Sequence, residues 1–206
     1  HDIVQGTNCP IQDEGNNIIA QACYQIAKEF DIEPYDEHTG KGILRHVIGR
    51  IGQSGWMIIL VTATDHLPHQ ENWVEKLTER IPQVETIVHN VNSKRTNVIL
   101  GPKNHILYGE GTITDHIKDL QFTLSPHSFF QVNPEQTTVL YDQALAYADL
   151  KGDETVIDAY CGTGTISLFL AHKAKHVIGI EIVEPAIINA RENAQRNGYD
   201  LSLIHI

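Results

Sequence analysis

At 206 residues, 41% hydrophobic and 20% charged, the chain can bury one sizeable core or two small ones and is neither fibrous nor disordered in composition. No apolar run approaches the roughly 20 residues of a membrane span and the first residues show no signal pattern, so a cytoplasmic protein without a membrane partner is expected. The net charge of −11 is spread over both halves (10 Lys+Arg against 16 Asp+Glu in residues 1–120, 5 against 10 in residues 121–206), so nothing in bulk composition favours nucleic acid.

Apolar positions Ile18, Ile19, Ala22, Cys23, Ile26, Ala27 and Phe30 recur at helical spacing and predict an amphipathic helix over residues 14–30. Ile43–Ile51 and Trp56–Thr64 are β-rich runs joined by Gly52-Gln53-Ser54-Gly55, a hairpin signal. A helix over Asn72–Ile81 and a strand over Val84–Val91 follow, then strands over Ile106–Ile113 and Ile117–Leu124. Residues 1–120 thus read as an α+β domain with an antiparallel sheet.

The pattern changes after Leu124. Pro134 suits the first turn of a helix reaching about Leu150. Strand Thr155–Ala159, helix Thr165–Lys173, strand His176–Ile182 and helix Pro185–Asn197 follow in the alternation of a parallel sheet with crossover helices. Residues 121–206 therefore read as an α/β domain, the first part of a Rossmann-like fold with an incomplete parallel sheet. Leu201–Ile206 read either as the start of a third strand or as a segment foreign to the fold. Counted without them, the chain offers two strands, and uncovered edges predict a homodimer or an exchanged segment.

In Val156-Ile157-Asp158-Ala159-Tyr160-Cys161-Gly162-Thr163-Gly164-Thr165, a buried strand runs through a two-glycine turn into a helix. Such a turn lets the backbone approach a nucleotide-like ligand closely. The dinucleotide fingerprint needs a third glycine where Ser167 stands, so no pyrophosphate is required here. Glu181, 19 residues after Gly162, is placed to accept hydrogen bonds from a ribose diol. An adenosine-type cofactor without a diphosphate fits best, S-adenosylmethionine being the commonest. Cys161 reads as a small residue packed under the turn, with no activating base beside it in sequence. Gln131, in Ser125-Pro126-His127-Ser128-Phe129-Phe130-Gln131-Val132-Asn133-Pro134, suits the zwitterionic tail of such a cofactor. A domain linker with core aromatics is an equal alternative.

Three stretches together, Ser128–Asn133, Asp158–Thr165 and Gly179-Ile180-Glu181, resemble the RNA uracil-5-methyltransferases, which make 5-methyluridine in ribosomal and transfer RNA. Asn189–Ala194, Asn197-Gly198 and Leu44–Val47 continue the resemblance, which runs from about Cys9 to Gly198. It implies a class I methyltransferase fold and binding of S-adenosylmethionine by Gln131, Tyr160 and Glu181. The position of Thr165 is often asparagine in that family. The implied substrate is a uridine of 23S ribosomal RNA, with transfer RNA as the competing substrate and a non-catalytic RNA- or cofactor-binding module as the other alternative.

The resemblance also implies a covalent mechanism whose cysteine nucleophile and general base are expected beyond residue 206. No catalytic residue is assigned within the chain, which alone is expected to be inactive. Cys9 is one candidate ligand of the four an iron–sulfur cluster needs, so no metal site is expected. The available phosphate partners are Lys41, Arg45, Arg50, Lys94, Arg95 and Lys103.

Overall fold

The computed structural model describes Cys9 and residues 11–205. The chain forms two compact units, residues 1–113 and 114–206.

The first unit holds α1 (Glu14–Glu29), β1 (Leu44–Ile51), β2 (Trp56–Thr62), α2 (Gln70–Arg80), β3 (Val84–Val91) and β4 (Lys103–Tyr108). Its four strands lie in the order β1-β2-β3-β4. The sheet is mixed, not antiparallel as the strand-rich sequence suggested. β1–β2 and β3–β4 pair antiparallel, but β2 and β3 run parallel. α2 accounts for this, because parallel neighbours need a long crossover and the helix between them supplies it. The central β2 is buried from Met57 to Thr62, as expected of a strand with neighbours on both sides.

α1 begins where the Asp13 side chain accepts the Gly15 N–H at 2.8 Å, satisfying one of the orphan donors of the first turn. Ile19, Ala22, Cys23 and Ile26 of this helix meet Trp73, Leu77 and Ile81 over Ile58, Leu60 and Ile87 in one apolar cluster. Ile18, in contrast, faces outward.

The strands expected over 106–113 and 117–124 are instead three: β4, β5 (Ile113–Ile117) and β6 (Leu120–Leu124). Gly109 and Gly111 adopt left-handed φ of 72° and 75°, which ends β4 there. A Cβ on Gly109 would stand 2.1 Å from the Glu85 carbonyl oxygen, so only glycine fits that turn. β5 and β6 form a separate two-stranded sheet.

His89 in β3 is buried, with Nε2 2.6 Å from Thr62 Oγ1 and its ring stacked on His105 at 5.4 Å. His105 Nε2 in turn meets Asp65 Oδ1 at 2.7 Å. Burial, reinforced by the charge of His105 and opposed by Asp65, lowers the His89 pKa. The unfolded chain therefore binds more protons below the ordinary histidine value, and stability is lost as pH falls from neutrality through the lower folded value. His46, also lowered by burial, acts in the same direction. The denaturant midpoint should drop between about pH 7 and pH 5, and His89→Gln should shrink that drop. An unchanged pH slope in His89→Gln would remove His89 from the account.

The second unit continues with α3 (Pro134–Ala148), β7 (Thr155–Asp158), α4 (Thr165–Ala171), β8 (His176–Glu181), α5 (Glu184–Arg196) and β9 (Ser202–His205). β7, β8 and β9 form a parallel sheet in that order. Residues 202–205 thus add a third strand to the two counted without them, pairing with Ile178–Glu181. Asn133 caps α3 by accepting the Gln136 N–H at 3.0 Å, with Pro134 in the first turn. α4 packs on β7 and β8, and α5 packs on β6, β8 and β9.

Candidate cofactor site at the ends of the parallel strands

β7 and β8 are hydrogen-bonded neighbours in register Asp158↔Gly179, so the turn after β7 and the tip of β8 lie side by side. The Glu181 carboxylate reaches the turn. Oε2 accepts the Gly162 N–H at 3.0 Å, and Oε1 accepts the Val183 N–H at 2.9 Å. Each oxygen keeps a second lone pair for a ligand hydroxyl. The two backbone bonds also hold the side chain in one orientation, which lowers the cost of using it.

Gly162 and Gly164 have φ of 54° and 82°, a region that favours glycine. Their surroundings differ. A Cβ on Gly164 would sit 3.3 Å from that of Ala190 on α5, so Gly164 lets helix and turn pack closely. A Cβ on Gly162 would meet nothing within 4 Å. The bare backbone of Gly162 therefore fronts open space beside Glu181, as close approach of a ligand requires.

Asp158, at the end of β7, is held by Ser167 Oγ at 2.6 Å. Ser167 is fully buried. The residue standing where a third glycine would be is thus a side-chain donor that fixes an acid behind the turn, a role its sequence position did not reveal. Cys161 is buried, and the Cβ that Gly179 lacks would lie 2.9 Å from its Sγ. Burial, with the carboxylates of Asp158 and Glu181, pushes the thiol up to about 11. Cys161 packs under the turn, and its raised pKa disfavours the thiolate that a nucleophile needs.

Tyr160 projects from the turn with 92% of its surface exposed. Phe129 and Val132 are likewise exposed, at 73% and 98%, while Phe130 turns inward against Phe122 at 5.7 Å. Of the two adjacent phenylalanines only Phe130 enters the core, as the core-aromatic alternative expects, while Phe129 is left exposed. Thr163 Oγ1 donates to the Phe129 carbonyl at 3.4 Å and brings the segment carrying half-buried Gln131 against the turn. Thr165 shares a 2.9 Å hydrogen bond with the Tyr141 hydroxyl of α3. Its side chain ties two helices together.

α5 contributes a residue that the sequence reading did not single out. Asn193, fully buried, donates Nδ2 to the Thr163 carbonyl at 3.1 Å and accepts the Thr123 N–H at 2.8 Å. Its signal was present as asparagines at 189, 193 and 197, one face of a helix at spacing four.

In the first unit, the basic residues divide. The Arg45 side chain is 1% exposed, lies over Tyr35 at 4.5 Å, donates to the carbonyls of Asn92 and Lys94 at 2.8 Å each, and pairs with Glu37 at 2.9 Å. It organises two loops and is withdrawn from phosphate contact. Arg50 is largely buried, which lowers its pKa, and Lys103 pairs with Asp65 at 2.5 Å. Arg95 donates to the His38 carbonyl at 2.9 Å, while Lys41 and Lys94 are exposed. The loop after β3 is pinned by buried amides: Asn92 donates to the carbonyls of Val98 and Ile99, and Asn90 to that of Gly101.

The methyltransferase domain family matches residues 150–204. The chain is 51% identical over 201 residues to an uncharacterized RNA methyltransferase of Halalkalibacterium halodurans, covering 97% of this chain and 44% of that protein. A second, from Oceanobacillus iheyensis, is also 51% identical over 201 residues, covering 96% and 44%. The chain thus spans less than half the length of these relatives. Among solved structures, the Pyrococcus abyssi tRNA (uracil-54, C5)-methyltransferase in complex with S-adenosyl-L-homocysteine superposes with a TM-score of 0.84 at 25% identity, over 100% of this chain and 50% of that one. The chain is therefore a relative of the RNA methyltransferases over nearly its whole length, and its second unit has the Rossmann-like methyltransferase fold.

Proposed function

We propose that this chain is part of an S-adenosylmethionine-dependent RNA methyltransferase that methylates carbon 5 of a uridine, and that residues 114–206 hold the cofactor. The observation that carries the reading is the Glu181 carboxylate, held 3.0 Å from the Gly162 amide beside a backbone open to a ligand. Glu181 would accept the ribose hydroxyls, Tyr160 would pack beside the adenosyl group, and Gln131 would hold the amino-acid tail. When bound, the cofactor supplies an electrophilic methyl group. The chain's own residues bind and orient it. Calorimetry with S-adenosylhomocysteine tests the site: saturable binding is expected, and no heat would refute a formed cofactor site.

For the RNA, the first reading is a uridine of 23S ribosomal RNA, although the motifs of Ser128–Asn133 and Asp158–Thr165 are shared by the ribosomal and transfer RNA enzymes of the family. The likeness to the Pyrococcus tRNA enzyme supports transfer RNA as the second reading. In a strain lacking the gene, 5-methyluridine should vanish from one site of 23S RNA. Loss from transfer RNA alone would favour the second reading, and loss from neither would sink both. Lys41, Lys94 and Arg95, which are exposed, would be the phosphate contacts. The outer edges of β7 and β9 support self-association of the isolated chain. Sedimentation showing only monomer at high concentration would oppose it.

A further inference from the structure

We infer that Asn189 and Asn193 are positioning residues, which set the spacing between the Ser125–Gln131 segment and the Gly162 turn. The inference rests on the cofactor reading only for its functional meaning. Asn189, Asn193 and Asn197 form a ladder on one face of α5. Asn197 grips both polar groups of Gln121, accepting its N–H at 2.8 Å and donating to its carbonyl at 2.7 Å. Asn193 accepts the Thr123 N–H at 2.8 Å. Asn189 Oδ1 accepts from Ser125 Oγ at 3.3 Å and from Ser128 Oγ at 3.0 Å.

The spacings match for a physical reason. Four helical residues advance about 6 Å, and two extended residues about 6.7 Å. Helix positions 189, 193 and 197 can therefore serve strand positions 125, 123 and 121 in turn. Amides take the place of a neighbouring strand along this edge of β6, satisfying donors that burial would otherwise leave unpaired. Apolar packing would tolerate a slip of the helix along the strand, whereas moving the ladder by one residue breaks every rung.

The rungs differ in what they reach. Asn197, the C-cap of α5, hydrogen-bonds through its side chain to Gln121 of β6 and to the Asn193 carbonyl of its own helix. Asn193 spends its donor on Thr163 at 3.1 Å and so joins β6 to the glycine turn. Asn189 fixes Ser128, whose Oγ also accepts the Ser125 N–H at 2.8 Å, at the head of the segment leading to Gln131. Glu181 ends β8, and its carboxylate accepts the N–H of Val183, the residue just before α5. The segment and the turn are thereby referred to one rigid element, whose N-terminus adjoins the acid.

The test compares Asn189→Ala, Asn193→Ala and Asn197→Ala by hydrogen exchange and by calorimetry with S-adenosylhomocysteine. Asn193→Ala should speed exchange in residues 160–164 and weaken binding about tenfold, and Asn189→Ala should do the same through residues 125–131. Asn197→Ala, which gives up three side-chain hydrogen bonds against two for Asn193→Ala, should lose at least comparable thermal stability yet hold affinity within about twofold. Equal effects of Asn193→Ala and Asn197→Ala on residues 160–164 would overturn the inference. Should Asn193→Ala not fold, Asn193→Asp keeps the acceptor for Thr123 and loses only the donor to Thr163. Its protonated form can donate again, so protection of residues 160–164 should recover as pH falls toward the carboxyl pKa. No recovery would count against the inference. A wild type that binds no S-adenosylhomocysteine but shows the expected exchange pattern would sink the cofactor reading and leave the positioning role standing.

Discussion

Replacing Glu181 with alanine should weaken S-adenosylhomocysteine binding by about 100-fold, the equivalent of two hydrogen bonds to a charged acceptor. Two effects combine. The ligand loses its acceptor for the ribose hydroxyls, and the N–H groups of Gly162 and Val183 lose the partner that holds the turn. Glu181→Gln separates them. An amide retains one acceptor but turns an N–H donor toward one of the two backbone amides, so it should bind with intermediate affinity. Calorimetry on the three proteins reads the order directly. If alanine binds as tightly as wild type, the ribose contact lies elsewhere and the assignment of this turn to an adenosyl ligand fails.

The largest stability effect is expected in the first unit. Trp73 on α2 is fully buried among Leu77, Ile81 and the apolar face of α1. Trp73→Ala should cost about 3–5 kcal/mol, the sum of lost transfer free energy and the cavity left between two helices and the sheet. The indole Nε1 has no hydrogen-bond partner among the described residues. Trp73→Phe removes that donor while keeping an aromatic ring, and should cost much less than alanine. Denaturant midpoints followed by circular dichroism measure both. A phenylalanine variant as unstable as the alanine variant would mean that the site needs the full indole and that a smaller ring does not fill it.

Much of the local structure was legible in the sequence because it depends on neighbours in the chain. The apolar spacing of Ile19, Ala22, Cys23 and Ile26 shows which face of α1 is buried. Pro134 marks the start of α3. The glycine turn and Glu181 could be paired because adjacent parallel strands place successive strand ends side by side, whatever else the fold contains.

What the sequence left undecided depends on partners distant along the chain. Whether β2 and β3 run parallel is a matter of which way the chain returns after α2, and strand composition does not record that direction. Arg45 looked like a surface cation until Asn92 and Lys94, far away in sequence, supplied carbonyls for its guanidinium. Of Phe129 and Phe130, the alternation of an extended segment sends one inward and one outward, but only the packing against Phe122 says which. The three asparagines of α5 were visible as a spacing and had no meaning until β6 lay alongside to be read. Periodicity and turn chemistry are local and survive in one dimension. A buried polar side chain takes its role from whichever distant backbone groups the fold brings within hydrogen-bonding distance, and only the tertiary structure decides that.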